Sequence, residues 1–213
     1  MKTILVTAIG SYAAEVAIRA ARELGLRVVG CDVYPASWVV NSADVDAFYQ
    51  VPYASDPAYR ERIRTICEKE QVAALIPSID DEIDVLNAWR AEPWLSEVAL
   101  CLSAPDAIRI CRDKMALATF AKERQLCRTI PSVGLLEWET IAEDARFAYP
   151  LVIKPVDGRS SLDLFIVHNK DNFDGAVSSI PPVKWPFFIV QPFMEGSVVV
   201  ADVFHAPEQG QTG

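Results

Sequence analysis

The chain has 213 residues, 51% hydrophobic and 23% charged, enough for one large domain or two small ones with cores of their own. Its net charge of −9 excludes a general binder of nucleic acid or anionic membranes, since no basic field offsets the acids. Five scattered cysteines without a C-x-x-C pair, and only two histidines, argue against a zinc site and for reduced thiols in a cytoplasmic protein. The N-terminal apolar run breaks at Gly10-Ser11 without a cleavage pattern, and no stretch of ~18 apolar residues reads as a membrane span.

Lys2 to Thr7 (KTILVT) reads as a central parallel strand buried on both faces. Tyr12 to Leu24 has helical spacing and is stopped by Gly25, and Arg27 to Cys31 is a second strand ending at Asp32. In this β-α-β unit Asp32 lies where a dinucleotide site needs a ribose-binding acid. Tyr12 and Ala13 break the G-x-G-x-x-G fingerprint, which counts against a nicotinamide-dependent oxidoreductase. Ala47 to Val51 is a short strand, Pro57 to Glu70 an amphipathic helix and Val72 to Pro77 another buried strand. Asp80 and Asp81 are placed to cap a helix from Glu82 to Trp89, with ligand contact by Asp80, Asp81 and Glu82 as the other reading. Val98 to Leu102 adds a strand. Such alternation predicts an open parallel α/β sheet whose crevice lies at the carboxyl ends of the strands.

After Ser103 two helices follow in succession, Ala104 to Cys111 and Asp113 to Gln125, and Lys114 sits where a helix dipole prefers an acid. Ile130 to Val133 is extended, and Glu137 to Phe147 reads as an amphipathic helix. Tyr149 to Val167 predicts a hairpin: Leu151 to Ile153 as one strand, Lys154 at its end, Pro155 to close it, and Leu164 to Val167 returning. A lysine on one arm and a small-residue tip suit a phosphate clamp, and equally an ordinary hairpin with a surface lysine. Asn172 to Ser178 reads as a helix, Pro181 to Pro186 as a loop, Phe187 to Val190 as a strand, Gln191 to Gly196 as a turn and Val198 to Phe204 as a last strand.

Taken in order, Asp113-Lys114, Ile130-Pro131, Leu151 to Pro155 with its loop, and Val190 to Gly196 resemble the ATP-grasp superfamily, in its carbamoyl-phosphate-synthase-like and biotin-carboxylase-like branch. The resemblance implies an α/β pre-ATP-grasp (Rossmann-like) domain over 1–111 and an α+β small nucleotide-binding lobe over 112–190. It implies a hinge and first strand over 191–213, with the large lobe incomplete. By resemblance Lys114 and Lys154 are the two ATP lysines, and Gly158, Ser160 and Ser161 belong to the loop over the terminal phosphates. Gln191 reaches the adenine edge, Pro192 and Met194 offer hinge backbone to the base, and Phe193 and Met194 wall it.

The family's activity implies ATP and Mg2+ as cofactors, the metal ligands lying outside this chain, and a small-molecule carboxylate made into an acyl phosphate by an ADP-forming ligase. Two departures stand out. Ser160 and Asp163 occupy glycine positions of the loop, and Val198 stands where a ribose acid is found, with Asp202 the sole carboxylate of the last strand. They leave room for a degenerate, non-catalytic ATP-grasp-like module, and an unpaired last strand invites pairing with a second copy.

Overall fold

In the computed structural model, which describes residues 1–158, 161–197 and 199, strand β1 (Thr3–Val6) is buried at every position. A continuous apolar run needs partners on both sides and cover on both faces, and β1 has them. With β2 (Arg27–Asp32), β3 (Ala47–Gln50), β4 (Val72–Ile76) and β5 (Ala99–Leu100) it makes a parallel sheet of order β3-β2-β1-β4-β5. Alternate residues of β1 feed two cores. Leu5 packs with Val29, Leu75 and Ile63. Ile4 and Val6 pack with Ile18 and Val28. Ile18 belongs to helix α1 (Tyr12–Glu23) and Ile63 to α2 (Ala58–Glu70). Gly25, at φ +69°, ends α1 in the left-handed conformation that only glycine adopts without strain.

These residues form one compact unit, Met1–Pro105, and Asp106–Gly213 form a second. The second is led by α4 (Pro105–Arg112) and α5 (Lys114–Glu123). Its sheet is antiparallel: β6 (Val133–Gly134), β7 (Leu151–Pro155), β8 (Phe165–Val167) and β9 (Phe188–Pro192) in the order β6-β9-β7-β8. Leu151 and Ile153 of β7, Val190 of β9 and Val167 of β8 face a core with Trp138, Phe147 and Phe173. The two-residue alternation sends Val152 and Lys154 to the opposite face, beside Gln191 and Ile189 in register. The expected architecture is present: a parallel α/β sheet followed by an antiparallel α+β unit.

Several expected elements differ. Asp80 and Asp81 do not cap α3 (Asp80–Ala88) but sit inside its first turn, because the preceding Ile79 already takes the extended cap conformation. Val98 to Leu102 pairs over only two residues, at the sheet edge. The helix read over Glu137 to Phe147 breaks into a 3-10 turn, α6 (Trp138–Ile141) and a second 3-10 turn, Ala145–Phe147. Asp144 causes the break by accepting from the backbone N–H of Arg146, which starts a new turn. Pro182–Phe187 is a 3-10 helix rather than a loop. Gln191 and Pro192 do not begin a turn; they are the last residues of β9, opposite Val152 and Leu151. The expected strand from Val198 to Phe204, with Val198 and Asp202, and the tail lie outside the described residues.

Candidate nucleotide-binding face

Asp113 holds the start of α5. Its carboxylate accepts from the backbone N–H groups of Met115 (2.7 Å) and Ala116 (3.0 Å), the bonds of an N-cap. The cap fixes Lys114 as the first helical residue, with its own N–H donating to the carbonyl of Val156 at 3.0 Å. The Lys114 ammonium then donates to the carbonyls of Val156 (3.1 Å) and Gly158 (2.6 Å). Lys114, disfavoured by the helix dipole, is thus tied to the root of the loop that follows β7. Val156 in turn donates from its N–H to the carbonyl of Phe187 at 2.8 Å, so β9 shares the same anchor.

Lys154 lies half-buried on the face of β7 turned away from the core of Leu151 and Ile153, beside the buried Ile189. Burial holds its pKa below the ordinary 10.5, and repulsion from Lys114 lowers it further. No acid pairs with Lys154 among the described residues. Two lysines brought together on a partly desolvated surface make a local positive field in an acidic chain. Gly158 sits tightly against the Pro155 ring; a Cβ there would lie 3.1 Å from two of its carbons. Ser161 (φ +57°) and Asp163 (φ +53°) both occupy the left-handed region, so the loop keeps a glycine-like path without the glycines. Asp163 turns toward Lys184 at 3.8 Å rather than to either lysine. Ser160 lies outside the described residues.

At the far end of the face Gln191 is buried, and its Nε2 donates to Ser132 Oγ at 2.6 Å. Phe193 donates its N–H to the Pro150 carbonyl at 2.9 Å, which fixes where the chain leaves β9. Phe193 is 39% exposed and Met194 63%, which leaves both residues accessible to a planar ligand. Register therefore lines up Lys154 and Gln191 on one face of adjacent strands, with Lys114 at the loop root and Phe193-Met194 just past the strand end. Among the described residues no group of three His, Cys, Asp or Glu side chains could hold a metal ion.

The first unit offers a different chemistry. Asp32, the expected ribose acid, is buried and accepts from the N–H groups of Gly10 (2.7 Å) and Tyr34 (3.0 Å). It stands so close to Gly10 that a Cβ there would meet its Oδ2 at 2.9 Å. The carboxylate thus takes up the Gly10 N–H, a backbone donor of the turn after β1. Sequence reasoning missed Glu82 as a structural group: it is buried and accepts from Thr7 Oγ1 and, at 2.8 Å, from the Tyr59 hydroxyl. Burial raises its pKa above 4.5 despite those bonds. The spacing of Asp80, Asp81 and Glu82 signals a helix start but not which acid turns inward; the apolar Ile79, Ile83 and Leu86 around it carry that signal weakly.

Residues 4–100 match the family described as PylC-like, N-terminal domain. A formate-dependent phosphoribosylglycinamide formyltransferase of Synechococcus sp. (strain CC9311) is 29% identical over 183 residues, which cover 82% of this chain and 42% of the relative. The ATP-grasp enzyme fsqD of Aspergillus fumigatus is 25% identical over 191 residues, 85% of this chain and 31% of its own length. Among solved structures, the biotin carboxylase domain of Hydrogenobacter thermophilus 2-oxoglutarate carboxylase, in complex with MgADP, ADP and bicarbonate, matches with a TM-score of 0.68 at 18% identity. That match covers 91% of this chain and 44% of the other. The chain thus spans less than half the length of each of these relatives.

Proposed function

We infer that the chain is an ATP-grasp protein, as its likeness to a formyltransferase and to an ATP-grasp enzyme supports, and that its second unit binds ATP as the nucleotide side of an ADP-forming carboxylate ligase. One observation carries the reading: Lys154 keeps a half-buried charge that Lys114 repels and that no acid among the described residues pairs with, a cost that an anionic ligand removes. Lys154 binds phosphate oxygens directly. Lys114 contributes its charge from the loop root, and the backbone around Gly158 and Ser161, with Ser160, donates to the terminal phosphates. Gln191 reaches the adenine edge, Pro192 and Met194 present hinge backbone, and Phe193 and Met194 close over the ring.

ATP supplies the phosphoryl group that turns a small-molecule carboxylate into an acyl phosphate, and this chain's own residues position the triphosphate and neutralise its charge. The described residues do not by themselves fit a magnesium site, so no step is assigned to the metal.

Isothermal titration with MgATP tests the reading. One site is expected, and Lys154→Met weakens it about 10–100-fold, the value of a lost charge-assisted bond. The same substitution raises the melting temperature of the nucleotide-free chain by removing a partly desolvated charge. Absent binding, or binding indifferent to Lys154, sinks the assignment. A second reading, a non-catalytic ATP-grasp-like module, is favoured by the left-handed Ser161 and Asp163, which stiffen a loop that must close. It predicts that ligand-induced protection of this loop is missing even where nucleotide binds.

A further inference from the structure

A cavity of 760 Å³ opens in the second unit between α5, residues 125–133 and the turn carrying Arg146. Met115, Ile130 and Phe147 give it an apolar floor, while Lys122, Arg128 and Arg146 come to it from separate stretches of chain. No Asp or Glu lines it, in a chain with 29 acids and 20 bases. Among the described residues neither Lys122 nor Arg128 makes a side-chain hydrogen bond or ion pair. Arg146 is aimed by Asp144, which accepts from its Nη2 at 2.6 Å and from its Nε, and which stands outside the lining. A cation in the last turn of a helix suits the dipole, which accounts for Lys122 alone. Helix geometry gives no reason for Arg128 and Arg146 to converge on the same space.

We propose that this cavity binds a small organic anion with an apolar body. Its carboxylate or sulfonate is held by Lys122 and Arg128, with Arg146 pre-aimed by Asp144, and its body rests on Met115, Ile130 and Phe147. The volume falls in the range of small-molecule sites, which pair an apolar lining with a few fixed polar groups. Neither Lys114 nor Lys154 lines it, so it is distinct from the nucleotide lysines. The two are joined through Ser132, which lines the cavity and accepts the hydrogen bond from Gln191.

Cys127 lines the cavity and Cys111 is an exposed thiol outside it, which gives a local readout with an internal control. The rate of iodoacetamide alkylation at each cysteine is followed by mass spectrometry against 1-anilinonaphthalene-8-sulfonate and against the neutral N-phenyl-1-naphthylamine. The sulfonate is expected to protect Cys127 saturably, leave Cys111 unprotected, and act at concentrations about tenfold below the neutral amine. The Lys122→Gln/Arg128→Gln chain should need about tenfold more dye for the same protection. Its Cys127 should still alkylate at the native rate without dye, which shows that the fold persists. Lys154→Met should leave protection intact. Equal protection by both probes, protection unchanged in the double variant, protection lost in Lys154→Met, or no protection at all overturns the proposal.

Discussion

Lys154 and Glu82 are charged residues that the fold places against solvation, with opposite outcomes. Lys154 was legible in the sequence because an apolar run followed by Lys-Pro marks both the strand and its end. Glu82 was not, because a first-turn acid reads as a dipole partner whichever way it points. Its raised folded pKa fixes the sign of a pH effect. The stabilisation it carries is complete below 4.5 and is lost as pH rises through the folded value. Urea melts across that range should show native stability falling with pH, and Glu82→Gln, which keeps a neutral side chain, should flatten the fall. An unchanged slope in the variant would place the titration elsewhere. Asp163 tests the loop at the same scale. Asp163→Gly relieves a left-handed backbone at the cost of an exposed pair with Lys184, for a net gain of about 0.5–1 kcal/mol. Equilibrium denaturation reads it directly, and a loss of stability would contradict the strain assigned to that position.

The element that matters most is the joint between α5 and β7. Its parts were visible in the sequence, but its mechanism was not. The expected helix began at Asp113, whereas Asp113 is the cap and Lys114 the first helical residue, a shift of one position that decides which carbonyls the lysine reaches. Asp113→Ala should cost about 1 kcal/mol by losing both cap bonds. It should also free Lys114 from the loop root, detected as faster amide exchange at Val156 and Gly158 than in the native chain. Unchanged exchange there would show that the lysine holds its place without the cap. The α6 segment shows the reverse lesson. Glu137 to Phe147 was read as one amphipathic helix, yet Asp144 broke it because a local side-chain bond outcompeted one more turn. At β9 the apolar run predicted the strand, but a proline two residues on suggested an earlier stop. Antiparallel pairing with Val152 and Leu151 of β7 carries Gln191 and Pro192 into the sheet.

For the molecule as a whole, alternation of strands and helices predicted the parallel sheet of the first unit. The loss of that alternation after Ser103 predicted that something else follows. The residues proposed to bind nucleotide were legible only as a set, since Lys114, Lys154 and Gln191 are far apart in sequence and each alone reads as surface. What brings them together is antiparallel register between β7 and β9 and one helix start, and neither leaves a compositional trace. Nucleotide is proposed to bind on this face of the second unit and not in the α/β sheet of the first, where Asp32 already takes up the Gly10 N–H. Backbone amide shifts of the isotope-labelled chain titrated with MgATP test it most directly. Saturable shifts are expected at Lys154, Val156, Gly158, Gln191, Phe193 and Met194, with Gly10 and Asp32 unmoved. Shifts confined to the first unit, around Gly10, Asp32 and Tyr34, would contradict it.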